Sequence, residues 1–153
     1  MNRDWPRLQR SGILGAQILA IDLHSLRAAC GLAALAAGVA GPAPQRAVKH
    51  SVKQLEKMRR PWTAALAKLI RAGAIAAGGD RQSAAAGYRL AMENLTAARM
   101  LLHAAVAKRR LGEVLGDETM IADADAALIG RGAARPDKLA DLLAPPCFPA
   151  LRG

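Results

Sequence analysis

The stretch Ala72–Ala91, AGAIAAGGDRQSAAAGYRLA, decides how the chain folds. Ala72 and Ile75 lie in an alanine-rich run whose intrinsic preference is helical. Gly78-Gly79-Asp80 interrupts that run. Gly79 suits the left-handed residue that ends one helix, and Asp80 suits the N-cap that starts the next. Beyond the turn, Ala84, Tyr88 and Ala91 recur at helical spacing. Small residues let two helices approach closely, and an aromatic fills the gap above them. The stretch therefore reads as a helical hairpin. Tyr88 is predicted to be buried between the helix holding Ala72 and Ile75 and the helix that follows Thr96.

The rest of the chain extends this reading. At 153 residues it can bury a real core as one domain, and 52% hydrophobic residues exclude ordinary disorder. Aromatics make up only 3%, and the apolar content is mostly Ala, Leu, Ile and Val, which favours helix over sheet. A first helix is predicted from about Arg7 to Ala40, ended by Gly41-Pro42-Ala43-Pro44. A second opens near Pro44 and turns Val48, Val52, Leu55 and Met58 inward. Pro61 kinks it or starts a third, whose apolar stripe runs through Trp62, Leu66, Leu69 and Ile70 to Ile75. Helices at about Arg81–Asn94, Thr96–Leu115 and Glu118–Ile129 follow, and Pro136 opens a short last one ending near Leu143. The predicted architecture is all-α: five to seven helices in antiparallel hairpins, forming one domain over residues 1–144, with an irregular tail at 145–153.

Hairpins at similar spacing suggest a repeat. Ala72, Ile75, Gly79, Asp80, Ala84, Tyr88 and Ala91 resemble the tetratricopeptide pattern, which implies stacking as a short right-handed array. Gly116-Asp117 repeats the turn signal of Gly79-Asp80 further along the chain. A broader resemblance is strongest from Trp62 to Leu143. The segments WTAALAKLIRAGAIAAGGDRQSAA, MLLHAAVAKRRLGEVLGD and GRGAARPDKLADLLAP resemble the C-terminal, TPR-like helical region of large bacterial signalling proteins. There this region follows a Ser/Thr protein kinase domain and an AAA/NACHT-like ATPase. Arg109 to Gly112, and the ending through Gly132, Pro136 and Leu143 to Pro145, are the most specific parts. The chain departs from the family at Gly116-Asp117, Ala127-Leu128 and Pro146-Cys147-Phe148, which marks a divergent copy. The resemblance implies a non-enzymatic protein–protein interaction or scaffolding module in the bacterial cytoplasm, a fragment or remnant of a kinase–ATPase signalling protein.

Charge narrows the choice of partner. The net charge is +10, and residues 1–78 hold 12 Lys/Arg against 3 Asp/Glu. Lys49, Lys53 and Lys57 fall on one outer helix face, and Lys108, Arg109 and Arg110 form a second cluster. Both are candidate docking surfaces for a protein. The second also reads as a cation-rich last turn that offsets the helix dipole. The alternative partner is nucleic acid, with phosphates on the Lys stripe and on Arg59 and Arg60. It is disfavoured because the chain has only four aromatics, Trp5, Trp62, Tyr88 and Phe148, and no helix-turn-helix signature.

Catalytic patterns are missing from the sequence. It contains no P-loop, glycine-rich kinase loop, His-Arg-Asp or Asp-Phe-Gly. His24, His50 and His103 share no metal-ligand spacing with each other or with Cys30 and Cys147, and His103 reads as a packed or rim histidine. The expectation is no enzyme activity, no cofactor and no metal. Two distant Cys suit a reducing compartment. Arg3, Arg7 and Arg10 before an apolar run outline a secretory signal, but Asp22, His24 and Arg27 interrupt it. No membrane-spanning segment is expected. The first helix carries two apolar stripes, one through Leu14, Ile18, Ile21, Ala28, Leu32 and Leu35, the other through Leu19, Leu23, Leu26, Cys30 and Ala33. One neighbour covers one stripe. The second stripe needs either a preceding repeat or self-association.

Overall fold

A computed structural model describes residues 17–146. It contains seven α-helices: α1 (Gln17–Ala36), α2 (Ala43–Lys57), α3 (Pro61–Ala77), α4 (Arg81–Ala97), α5 (Leu101–Leu115), α6 (Glu118–Ile129) and α7 (Pro136–Leu143). No strand occurs among the described residues. Each helix packs on the next. In addition α1 lies on α3 and touches α7, and α7 rests on α5 and α6. The chain is an all-α array of helical hairpins. The expected helix start near Arg7, the stripe residue Leu14, the side chain of Ile18 and the Cys147-Phe148 ending lie outside the described residues.

Local sequence explains the helix boundaries. Asp80 accepts a hydrogen bond from the Ser83 amide at 2.9 Å, and Asp117 accepts one from the Met120 amide at 2.9 Å. Each satisfies an amide that the first turn leaves without a helical partner. Gly79 and Gly116 take φ of +86° and +72°, where a side chain would clash with the backbone. Pro44, Pro61 and Pro136 stand in first turns, where the missing N–H costs nothing.

Two breaks lack these signals. The α4–α5 junction is not at Asn94–Thr96, as the sequence suggested, but at Ala98–Met100. There Arg99 adopts φ +60°, and the Met100 amide donates to the Leu95 carbonyl at 2.9 Å in a Schellman-type closure. Arg59 does the same at φ +50°, so α2 and α3 are separate helices rather than one kinked at Pro61.

One core runs through the array. Ile21, Ala28 and Leu32 of α1, Val48, Val52 and Leu55 of α2, and Leu66, Leu69 and Ile70 of α3 are all buried. So are Ala72, Ala84, Tyr88 and Ala91. Tyr88 is 1% exposed, and a methyl on Gly73 would lie 3.6 Å from its Oη and 2.9 Å from Leu32 Cδ1. The aromatic thus fills the junction of α1, α3 and α4. The α1 contribution was not foreseen. Ile75 departs from its expected role as an inward residue: it is 37% exposed, because α3 buries the face through Ala72 and Ala76 instead. Pro145, assigned to the tail, is buried against the array.

Candidate functional site

The candidate site is the face formed by α2 and α3. Lys49, Lys53 and Lys57 recur once per turn along α2 and are all exposed. None of them forms an ion pair with another described residue. Between the two helices lie two adjoining hollows, of about 380 and 290 Å³. Val48 and Ala74 floor both of them, and Lys49 rims both. Val52 extends the floor toward Lys53, and Leu35 and Ala77 extend it toward α1. The one carboxylate at the rim, Glu56, is held by Arg71 at 2.7 Å. The result is an apolar trough with a positive edge.

The charge continues around the α1–α2 edge. His24 and His50 face each other with ring centroids 5.9 Å apart. Burial, then the fields of His50 and Arg27, push His24 down to about 4. Burial, followed by Arg27, Lys57 and Lys53, lowers His50 as well. No acidic group among the described residues is felt at His24 or His50 against these fields, so the edge favours anionic partners.

The second predicted docking cluster is not a surface. Arg110 is 2% exposed. Its Nε donates to the Ala144 carbonyl at 2.5 Å, and its guanidinium pairs with Asp141 at 2.7 Å and with Glu113. Arg109 pairs with Asp125 at 2.7 Å and with Glu113. Lys108 pairs with Asp123 at 3.1 Å. Burial works against the charge of Arg110, yet Glu113 and Asp141 raise its pKa above the ordinary arginine value. The helix ends where the sequence reading allowed, after Leu115 at the left-handed Gly116, which puts the cluster in the turn before its last. Arg110 is a buried clamp that fixes α7 to α5, while Arg109 and the more exposed Lys108 tie α6 to α5 through Asp125 and Asp123. Glu113 lies one turn away, but the pairing with Asp123, Asp125 and Asp141 was hidden because those acids lie 15 to 31 residues away in sequence.

A further hollow of about 530 Å³ at α7 is also rimmed by cations. There, however, Arg135 is paired with Asp137 and Lys138 with Asp141, and Arg131 donates to the Ala127 carbonyl. Among the described residues, only the α2 cations combine exposure, regular spacing and an adjoining apolar floor. Their spacing was legible in the sequence. The trough was not, because it depends on where α3 crosses α2.

Other chemistry is sparse among the described residues. No three His, Cys, Asp or Glu side chains gather there as a metal-binding group. His103 is half-buried on α5, lowered by burial against the opposing field of Asp22. Contrary to the sequence reading, α1 does contain a window long and apolar enough to cross a membrane, Leu19–Ala36, although α2 and α3 cover one of its faces. Asp22 and Arg27 within it are too few to break the window.

Comparison with protein-family models, with curated proteins and with solved structures finds no match.

Proposed function

We propose that this chain is a non-enzymatic protein–protein interaction module that captures an acidic partner segment in the α2–α3 trough. The observation that carries this is the row Lys49, Lys53 and Lys57: exposed, flanking an apolar floor, with the one rim carboxylate, Glu56, already held by Arg71. An amphipathic segment with leucine-like anchors and acidic flanks matches both features. On the sequence resemblance, the module is the C-terminal TPR-like fragment or remnant of a bacterial Ser/Thr kinase–ATPase signalling protein, and it acts in the cytoplasm. Nucleic acid fits this face less well. Tyr88 is buried and Trp62 packs on the core, so among the described residues no aromatic is presented for base stacking beside the lysines.

The test is a pair of titrations, with a labelled Leu/Glu amphipathic peptide and with random-sequence duplex DNA, in roughly 0.05 to 0.2 M salt. Peptide binding that survives the higher salt and is lost in Lys49→Glu/Lys53→Glu supports the proposal. DNA affinity better than about micromolar at the higher salt, without peptide binding, overturns it.

A further inference from the structure

The trough carries a carboxylate of its own. Glu56 of α2 and Arg71 of α3 both line the larger of its two hollows, together with Val52, Lys53 and Ala74. Glu56 follows Lys53 by three residues, so the two share a face of α2. Arg71 precedes Ala74 by three and stands on the facing bank for the same reason. Arg71 Nη2 meets Glu56 Oε1 at 2.7 Å, joining the two banks. The other hollow is different. Apart from the shared Lys49, its lining residues, Leu35, Gln45, Val48, Ala74, Ala77 and Gly78, bear no charge. The trough is therefore charged at one end and uncharged at the other.

The bridge is poorly suited to be a staple. Its side chains are 58% and 43% exposed, and an ion pair so open to water contributes little to stability. Buried residues such as Val52 and Leu55 on α2, and Leu66 and Ile70 on α3, supply the packing of these helices. A pair that is weak, wet and beside an apolar floor is easily exchanged. A carboxylate on a docked segment offers Arg71 the same two oxygens that Glu56 does. Glu56 thus stands where an acid of the partner would stand.

We propose, building on the trough reading above, that Glu56 is a built-in competitor for the partner's acid. The docked segment displaces Glu56 and takes over Arg71, which makes Arg71 a fourth cation of the docking surface. One acid alone replaces one ion pair with another and gains almost nothing. A second acid, placed on Lys53 or Lys49, adds a pair that the free protein lacks. Glu56 therefore selects for segments with more than one acid. The uncharged end fixes polarity: apolar anchors lie toward Leu35 and Ala77, and acids toward Arg71.

The test is a double-mutant cycle on the full chain, with the labelled Leu/Glu amphipathic peptide in about 0.05 and 0.2 M salt. Glu56→Gln should tighten binding about threefold at the lower salt and by less at the higher, whereas a mere staple would yield no gain. Arg71→Gln should weaken binding about threefold. The gain from Glu56→Gln should shrink in the Arg71→Gln background, because the competition is for Arg71. An equal or larger gain there shows that Glu56 acts only through its field, and overturns the proposal. So does an unchanged or weaker affinity in Glu56→Gln when the wild-type chain binds the peptide and Lys49→Glu/Lys53→Glu abolishes it; that result leaves the trough reading standing. Absence of binding to the wild-type chain overturns both. Circular dichroism and melting of each variant should match the wild type, since both side chains lie at the surface.

Discussion

Replacing Arg110 with Met should detach α7 from the array and cost about 3 kcal/mol. The side chain is 2% exposed and joins three partners on two sides: the Ala144 carbonyl, Asp141 and Glu113. A charge-assisted hydrogen bond to a buried carbonyl contributes about 1.5–3 kcal/mol, and its loss leaves the Ala144 oxygen without a donor. The two ion pairs count for less than a fully buried pair would. Asp141 is 39% and Glu113 29% exposed, so water screens both, and about 0.5 kcal/mol each is appropriate. Methionine preserves much of the stem's packing, so the loss is mainly polar. Arg110→Lys separates charge from geometry. It keeps the cation but lacks the planar fork that reaches Ala144 and Asp141 together, and should cost about half as much. Urea unfolding gives the free energies. Limited proteolysis or hydrogen exchange over residues 136–143 reports whether α7 has come loose. A loss below about 0.5 kcal/mol, with α7 still protected, would refute the clamp.

Tyr88→Ala should cost on the order of 3 kcal/mol in the same assay, because it empties the junction among α1, α3 and α4; a loss at the level of surface scatter would remove the packing argument. Gly112→Ala should destabilise by about 1–3 kcal/mol despite alanine's better helix propensity, since its methyl would meet Ile121 Cγ1 at 2.9 Å and the Asp117 carbonyl at 3.1 Å; a gain in melting temperature would contradict that crossing. Stability should also fall as pH drops from about 6.5 toward 4. With His24 lowered to about 4, the unfolded chain takes up a proton in that window while the folded chain does not. The shift corresponds to about 3 kcal/mol at most, and His50 and His103 move in the same direction. His24→Met should flatten the slope of denaturation midpoint against pH, and an unchanged slope would exclude His24 as its source.

Much of this fold is written locally. Asp80 and Asp117 sit where an N-cap must be, and the α6 and α7 boundaries follow from Gly116-Asp117, Gly130 and Pro136. The α4–α5 break was misplaced because Arg99 performs a glycine's task, and nothing in Ala97-Ala98-Arg99-Met100 announces a turn. Tertiary packing decided that position over propensity. The candidate sites divide in the same way. Lys49, Lys53 and Lys57 are visible as a one-turn repeat, whereas the contiguous Lys108, Arg109 and Arg110 are no less basic in sequence and serve the opposite purpose. What separates the two sets is the acids supplied by α6 and α7, and that depends on which helices meet.

The contact between α1 and α7 changes how such an array comes apart. In an open stack each unit touches only its neighbours, so the ends fray first and the transition broadens as units are added. Here the first and last described helices hold each other. Losing α7 uncovers part of α1, and losing α1 removes Leu32 from beside Gly73 and uncovers the junction at Tyr88. Neither end has a cheap way to leave alone, and equilibrium melting should be a single sharp transition seen identically by probes at both ends. The same contact slows assembly. It joins residues more than a hundred positions apart, so the chain must close its largest loop before that contact contributes anything. Hairpins form early, and ring closure comes last.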